Sequence, residues 1–141
     1  MVSPARLATL KAHIAAEAAG DIDAIMATLG AHPRYVIPDY LCEGRAALKA
    51  MYEWARPSLN PANSAEYLRA LDDPAVCLMA DDHIVLEYTD AYPLHAGMVV
   101  VVRFEGDLIA SENTYFTHRA RFHPAGDDAQ FLAVPGVSRL A

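Results

Sequence analysis

The sequence predicts an α+β domain in which helices come first and an antiparallel sheet follows. Apolar residues recur at helical spacing through the first half of the chain. After Pro74 the chain turns instead to β-branched and aromatic runs separated by turn residues. The two patterns do not alternate as βαβ units would, which argues against a parallel sheet. The 141 residues fit one domain over 1–141, large enough to bury a real core.

Each element has its own signal. From Pro4 to Ala19, residues Leu7, Leu10, Ile14 and Ala18 form one stripe, Ser3 is a natural N-cap, Pro4 suits the first helical position, and Gly20 ends the helix. Asp21 caps a second helix, Ile22 to Leu29, closed by Gly30 and Pro33. Arg34 to Ile37 reads as a strand halted by Pro38. A third helix runs from near Gly44 to the break at Pro57, with Leu48, Met51, Tyr52 and Ala55 on one side. Ser58 to Asn63 is a loop by composition. Ser64 to Asp72 reads as a helix capped by Ser64, with an early strand as the alternative.

Four strands then follow: Ala75–Ala80, His83–Asp90, Gly97–Glu105 and Leu108–Thr117, with turns at Asp81-Asp82, Pro93 to Gly97 and Gly106-Asp107. Val99 to Val102 is apolar on both faces, so that strand should be central and covered on both sides. The tail from His123 to Ala141 carries two prolines and two glycines and reads as an irregular extension.

Composition narrows the function. A formal net charge of −7 repels phosphate backbones and anionic lipid, so nucleic-acid and membrane partners are not expected. No stretch approaches the roughly 20 apolar residues of a spanning helix. Met1 to Lys11 lacks a basic region followed by an apolar block, so a cytoplasmic location is expected. Cys42 and Cys77 stand far apart in no metal spacing and read as small hydrophobes. His95, His118 and His123 show no ligand spacing, and Asp81-Asp82-His83 is explained by a tight turn. No metal and no cofactor are expected.

Four stretches bring a family into view. Residues 18–29 read Ala-Ala-Gly-Asp-Ile-Asp-Ala-Ile-Met-Ala-Thr-Leu. They precede Tyr35-Val36-Ile37-Pro38-Asp39 and Glu43-Gly44-Arg45-Ala46-Ala47-Leu48, and the run Arg103 to Phe116 closes the pattern. In order and spacing these resemble the SnoaL-like branch of the nuclear-transport-factor-2 superfamily, across residues 5 to 118. The resemblance implies a cone-shaped, curved antiparallel sheet wrapped by three or four N-terminal helices around a small-molecule pocket, and a homodimer formed through the outer sheet face. Its members include polyketide cyclases, ketosteroid isomerases, epoxide hydrolases, dehydratases and noncatalytic binders, so the fold does not fix the function. The family often ends its last strand in aspartate. Here that position is Thr117, and no acid can be invoked there.

Three residues stand out for chemistry. His13 and Glu17 lie four apart on one helical face that overlaps the Leu10–Ile14 stripe, which turns His13 inward. By resemblance, His13 falls where the isomerases keep their oxyanion-hole tyrosine. A structural His–Glu pair is the plain alternative. Asp39 matches the isomerases' general base, against an ordinary turn aspartate after proline. Ala110, Glu112, Thr114 and Phe116 share one face of the last strand by alternation, and the resemblance puts that face inside the cone. Glu112 would then be a carboxylate in apolar surroundings, with His13 as its candidate partner; an exposed edge-strand glutamate is the other reading.

Glu17, Tyr35, Tyr52, Trp54, Tyr88, Val100, Val102, Thr114 and Phe116 are the candidate pocket residues. The isomerases' second oxyanion acid would fall near Val100 and is absent, which argues against steroid isomerisation by that route. The expected function is a cofactor-free acid/base enzyme, a cyclase, isomerase or dehydratase, acting on a small hydrophobic carbonyl compound. Asp39 would be the base, His13 the donor to the enolate oxygen, and Glu112 the group orienting His13. A noncatalytic ligand-binding or dimeric scaffold module is the alternative, and an epoxide hydrolase a third.

Overall fold

Local sequence signals set the first helix as expected. The computed structural model describes residues 1–116 and 128–140. Helix α1 (Pro4–Ala19) starts at Ser3, whose hydroxyl accepts from the Arg6 amide at 3.2 Å, and stops at Gly20 in the left-handed region (φ 65°). Its buried stripe is Leu10, His13 and Ile14. Asp21 caps α2 (Ile22–Ala27), which ends earlier than its spacing predicts. Thr28 folds its hydroxyl back onto the Ile25 carbonyl at 2.6 Å, and Leu29 already begins a strand.

That strand, β1 (Leu29–Ile37), is longer than the expected Arg34–Ile37. Pro33 is tolerated inside it because the pairing register shifts between Leu29 and Arg34. The turn at Pro38-Asp39 leads into β2 (Tyr40–Glu43), a strand that four residues were too few to announce. Helix α3 (Arg45–Trp54) follows, and the Arg45 guanidinium donates to the Met26, Leu29 and Gly30 carbonyls, tying α3 to the start of β1.

A 3₁₀ turn at Arg56–Ser58 precedes α4 (Pro61–Leu71), which settles the 64–72 region as helix. The helix begins three residues before Ser64. Asn60 is its cap, accepting from the Asn63 amide at 3.1 Å, and Pro61 occupies the first turn. Ser64 is buried within the helix.

Strands β3 (Cys77–Met79), β4 (His83–Glu87), β5 (Met98–Glu105) and β6 (Leu108–Phe116) lie inside the expected runs. The described end of the chain adds α5 (Asp128–Leu132) and β7 (Val137–Arg139). The tail is therefore not irregular over those residues: β7 pairs with β2, and Phe131 stacks on Trp54 with ring centroids 4.2 Å apart. Asp128 accepts from the Tyr40 hydroxyl at 2.7 Å and meets Arg139 at 3.2 Å. Thr117, His118 and His123 lie outside the described residues.

The seven strands form one curved sheet in the order β3-β4-β5-β6-β1-β2-β7. Every neighbouring pair is antiparallel except β1 and β6, which run parallel. Register places Cys42, Tyr35, Glu112, Val102 and Ile84 side by side in one row across the inner face. Helix α3 packs on β1 and β2, while α1 packs on α4 and β6. On β5, Val100 and Val102 are buried on the helix side, whereas Val99 and Val101 keep part of their surface. The expected cover is thus complete on one face of this strand only. No helix among the described residues is long and apolar enough to cross a membrane.

Candidate functional site

The helices do not close fully onto the sheet. Between them lies a cavity of about 810 Å³. Its deep end is formed by Glu17 from α1, Tyr35 from β1, Tyr52 from α3, and Val100 and Glu112 from β5 and β6. The side walls are apolar, with Ile37, Met51, Leu59, Met98 and Phe116. Tyr35 and Tyr52 are almost wholly buried, whereas Leu94 is 49% exposed and marks the rim. Asn60, Asn63 and the 93–96 segment complete the mouth.

His13 stands behind the deep end, completely buried. Its Nδ1 lies 2.7 Å from the Thr28 hydroxyl. That hydroxyl spends its only hydrogen on the Ile25 carbonyl, which can only accept, so Nδ1 must carry the proton and donate to Thr28. The other nitrogen, Nε2, faces the Tyr52 hydroxyl at 3.0 Å and the Glu17 carboxylate at 3.3 Å. A neutral His13 therefore accepts from Tyr52 through Nε2. A protonated one donates there, toward Glu17.

Burial by itself would lower the pKa of His13. The Glu17 carboxylate, helped by Glu112, outweighs it, and the net shift is upward. Glu112 moves up as well, to about 7. Desolvation is the main cause, the neighbouring Glu17 charge adds to it, and His13 and the Thr114 hydroxyl pull the other way. Glu112 lies deep in the molecule, yet it keeps accessible surface because it forms part of the cavity wall. The Tyr35, Tyr52 and Tyr67 hydroxyls are held protonated well beyond the usual range, chiefly by burial. Tyr35 adjoins the Tyr52 hydroxyl, but neither the Tyr35 nor the Tyr67 hydroxyl has a hydrogen-bond partner of regular geometry among the described residues. Both side chains line the cavity.

The structure thus brings His13, Glu17, Tyr35, Tyr52, Val100, Glu112, Thr114 and Phe116 to one place. Four candidates fall elsewhere. Asp39 is exposed on the β1–β2 turn in the left-handed region (φ 69°), its carbonyl accepting from the Leu140 amide at 2.9 Å. The adjoining Pro38 reaches the cavity wall and Asp39 does not. Trp54 belongs to the packing of α3 against α5. Tyr88 lies outside the lining, stacked on His95 at 4.9 Å, and Val102 is sealed in the core.

Sequence reasoning missed Tyr67, Thr28 and the Glu66–His95 pair. Once α4 is a helix, Asn60, Asn63, Ser64 and Tyr67 fall at helical spacing on one face, and all four line the cavity. His95 meets Glu66 at 2.8 Å, and Glu66 also accepts from the Leu94 amide at 3.1 Å, which fixes the rim to α4. Thr28 carries no signal of its own. Among the described residues no group of three or more His, Cys, Asp or Glu is placed to hold a metal ion.

No family model matches the sequence, nor does any curated protein. Solved structures do match. A protein of unknown function from Cytophaga hutchinsonii, described as NTF2-like, is similar with a TM-score of 0.54 and 12% identity over 82% of this chain and 91% of that one. The fold is NTF2-like. An NTF2-like protein from Burkholderia xenovorans is similar with a TM-score of 0.50, at 13% identity over 82% of this chain and 91% of that one. A Kribbella flavida protein described provisionally as a ketosteroid isomerase has a TM-score of 0.52, at 13% identity over 89% of this chain and 86% of that one. At these identities the likeness is one of fold, and the NTF2-like frame is a pocket-forming one.

Proposed function

We propose that this NTF2-like protein is an acid/base enzyme that works without a cofactor on a small, largely apolar, carbonyl-bearing molecule, in isomerase, cyclase or dehydratase chemistry. The observation that carries the reading is Glu112: a carboxyl in the cavity wall, raised to about 7, with Tyr35 beside it in register. A proton-transfer group works best when its pKa lies near the operating pH. Glu112 takes the role that the sequence assigned to Asp39. It removes a proton from the carbon next to the carbonyl, and the C–H electron pair moves onto the carbonyl oxygen as an enolate. The Tyr35 hydroxyl donates to that oxygen, and when a protonated His13 donates to Tyr52, the Tyr52 hydroxyl is free to donate to Tyr35. Return of the proton from Glu112 to another carbon gives isomerisation, its delivery to a departing β-hydroxyl as water gives dehydration, and attack of the enolate carbon on a second carbonyl, whose oxygen takes the proton, gives cyclisation.

A thermal-shift screen of hydrophobic carbonyl compounds, with product analysis of the hits, identifies a substrate. On that substrate Glu112→Gln should abolish turnover. Unchanged turnover in Glu112→Gln would remove the catalytic assignment.

A noncatalytic ligand-binding module is the second reading, favoured by the exposed Asp39 and by Val100 where the isomerases carry an acid. It expects ligand-induced melting shifts with no product in wild type. For either reading, a homodimer through the outer sheet face is proposed. There Leu41, Val36, Asn113, Val101, Val85 and Leu78 follow one another in one register row, apolar but for Asn113, and none of these residues is fully buried. Light scattering tests it, and a monomer at all concentrations would remove it.

A further inference from the structure

Charge is distributed unevenly around the cavity. Among the described residues its ionisable lining comprises Glu17, Glu112, His95 and buried tyrosines, with no lysine or arginine. His95 is already committed to Glu66. His13 supplies at most one positive charge, and its two nitrogens are taken by Thr28, Tyr52 and Glu17. One imidazolium thus balances one of two carboxylates. Among the described residues Glu112 is left facing the hollow without a cation of its own.

The remaining surroundings suit a positive ligand. Tyr35, Tyr52 and Tyr67 line the same end, and aromatic rings attract ammonium groups through their negative faces. The Tyr67 hydroxyl oxygen is buried and unpartnered among the described residues, so it has a free lone pair for an N–H donor or a C–H polarised by a cationic nitrogen, and the Tyr35 oxygen, beside the Tyr52 hydroxyl, keeps a second one. The apolar walls would hold the alkyl or aryl substituents of such a molecule. Among the described residues an anionic ligand would meet two carboxylates and no compensating guanidinium or ammonium group.

We infer that the cavity takes an organic cation, a molecule bearing a protonated or quaternary amine with apolar substituents, whose nitrogen sits among Glu112, Glu17 and the tyrosines. Resting on the reading of this cavity as the functional site, the inference narrows the substrate to carbonyl compounds that also carry an ammonium group. Binding is linked to Glu112. A cation stabilises the carboxylate, so below about 7 it must displace a proton from Glu112. The groups facing Glu112 are Glu17 and His13 on α1, Tyr35 on β1, Tyr52 on α3, Tyr67 on α4 and Tyr88 just after β4. The tyrosines stay neutral across the range. His13 also gains a proton as pH falls, and its added positive charge weakens cation binding in the same direction.

Two probes of one shape test this by calorimetry on the full chain: 3-(hydroxymethyl)phenyltrimethylammonium, whose charge does not change with pH, and 3-tert-butylbenzyl alcohol, its neutral isostere. At pH 8 the cation should bind about tenfold or more tightly than the neutral alcohol. Its affinity should fall about tenfold between pH 8 and pH 6 as Glu112 takes up its proton, while that of the neutral alcohol stays flat. In Glu112→Gln the preference should shrink and the fall should flatten. Equal or tighter binding of the neutral alcohol by wild type overturns the inference, as does a cation Kd weaker than about 1 mM. The arms separate this from the enzymatic reading. A cation preference with turnover intact in Glu112→Gln sinks catalysis alone, and a preference for the neutral alcohol with turnover lost in Glu112→Gln sinks the cation alone.

Discussion

The β1–β2 turn and the deep end of the cavity each hold a carboxylate that the sequence offers for the same chemistry. At the turn, Asp39 stands in water. In the cavity, Glu112 lies between Tyr35 and Val102 on the inner sheet face, with Glu17 and His13 above it. Glu112 is pushed up to about 7 by desolvation and the Glu17 charge. The difference teaches that the enclosure supplies the reactivity, and the residue type alone does not.

The sharpest way to break this comparison is kinetic. On a substrate found by screening, Glu112→Gln should lower kcat by at least about 10²-fold, the usual range for a lost acid/base group, while Asp39→Asn should change it by less than about twofold. Steady-state kinetics on both variants decides between the two carboxylates.

Stability gives the next largest contrast, and its sign is fixed by linkage. The folded pKa of Glu112 lies above its ordinary 4.5, so the folded state binds more protons than the unfolded one between 4.5 and about 7. Stability must then fall as pH rises through that window. His13, also raised, contributes stability that is complete below its ordinary 6.5 and is lost as pH climbs through its folded value. Urea unfolding should show a protein more stable at pH 5.5 than at pH 8. Glu112→Gln should be more stable than wild type by about 1–3 kcal/mol at pH 8, with the gain gone below pH 4.5. Asp39→Asn should shift stability by less than about 0.5 kcal/mol at either pH.

Tyr52→Phe removes the hydroxyl that meets His13 Nε2 and should cost about 1 kcal/mol, measured by the same urea titration. The smallest expected effect is at the turn. Asp39→Ala puts a residue without a local hydrogen-bonding side chain at φ 69°, and should destabilise by roughly 0.5–1 kcal/mol, with Asp39→Gly recovering most of the loss.

Much of this molecule was legible before any coordinates. Ser3, Pro4 and Gly20 bracket α1 as read, and alternation along β6 put Glu112 and Thr114 on one face, which the family resemblance turned toward the cavity that both now line. The stripe through Leu10 and Ile14 carried His13 inward. What failed depended on information that is not local. Strands β2 and β7 hold four and three residues and exist through pairing, β2 with β1 and β7, and β7 with β2. Asp39 abuts a strand whose end does reach the cavity, but its position in sequence could not say on which side of the turn its carboxyl would fall. His13 and Glu112 were expected as a direct pair. Instead Glu17, one helical turn away and the plain alternative in the sequence, is the carboxylate that meets the imidazole, and Glu112 acts on it through its charge. Thr28, which fixes the His13 proton on Nδ1, does so only because α2 ends there.

The most direct measurement is a ¹³C NMR titration of the glutamate side-chain carboxyls, with the Glu112 signal assigned by its loss in Glu112→Gln. The account predicts an apparent midpoint near pH 7 for that signal. A Glu112 carboxyl titrating at its ordinary 4.5 would mean that the cavity does not hold its proton, and the case for acid/base chemistry at this site would be contradicted.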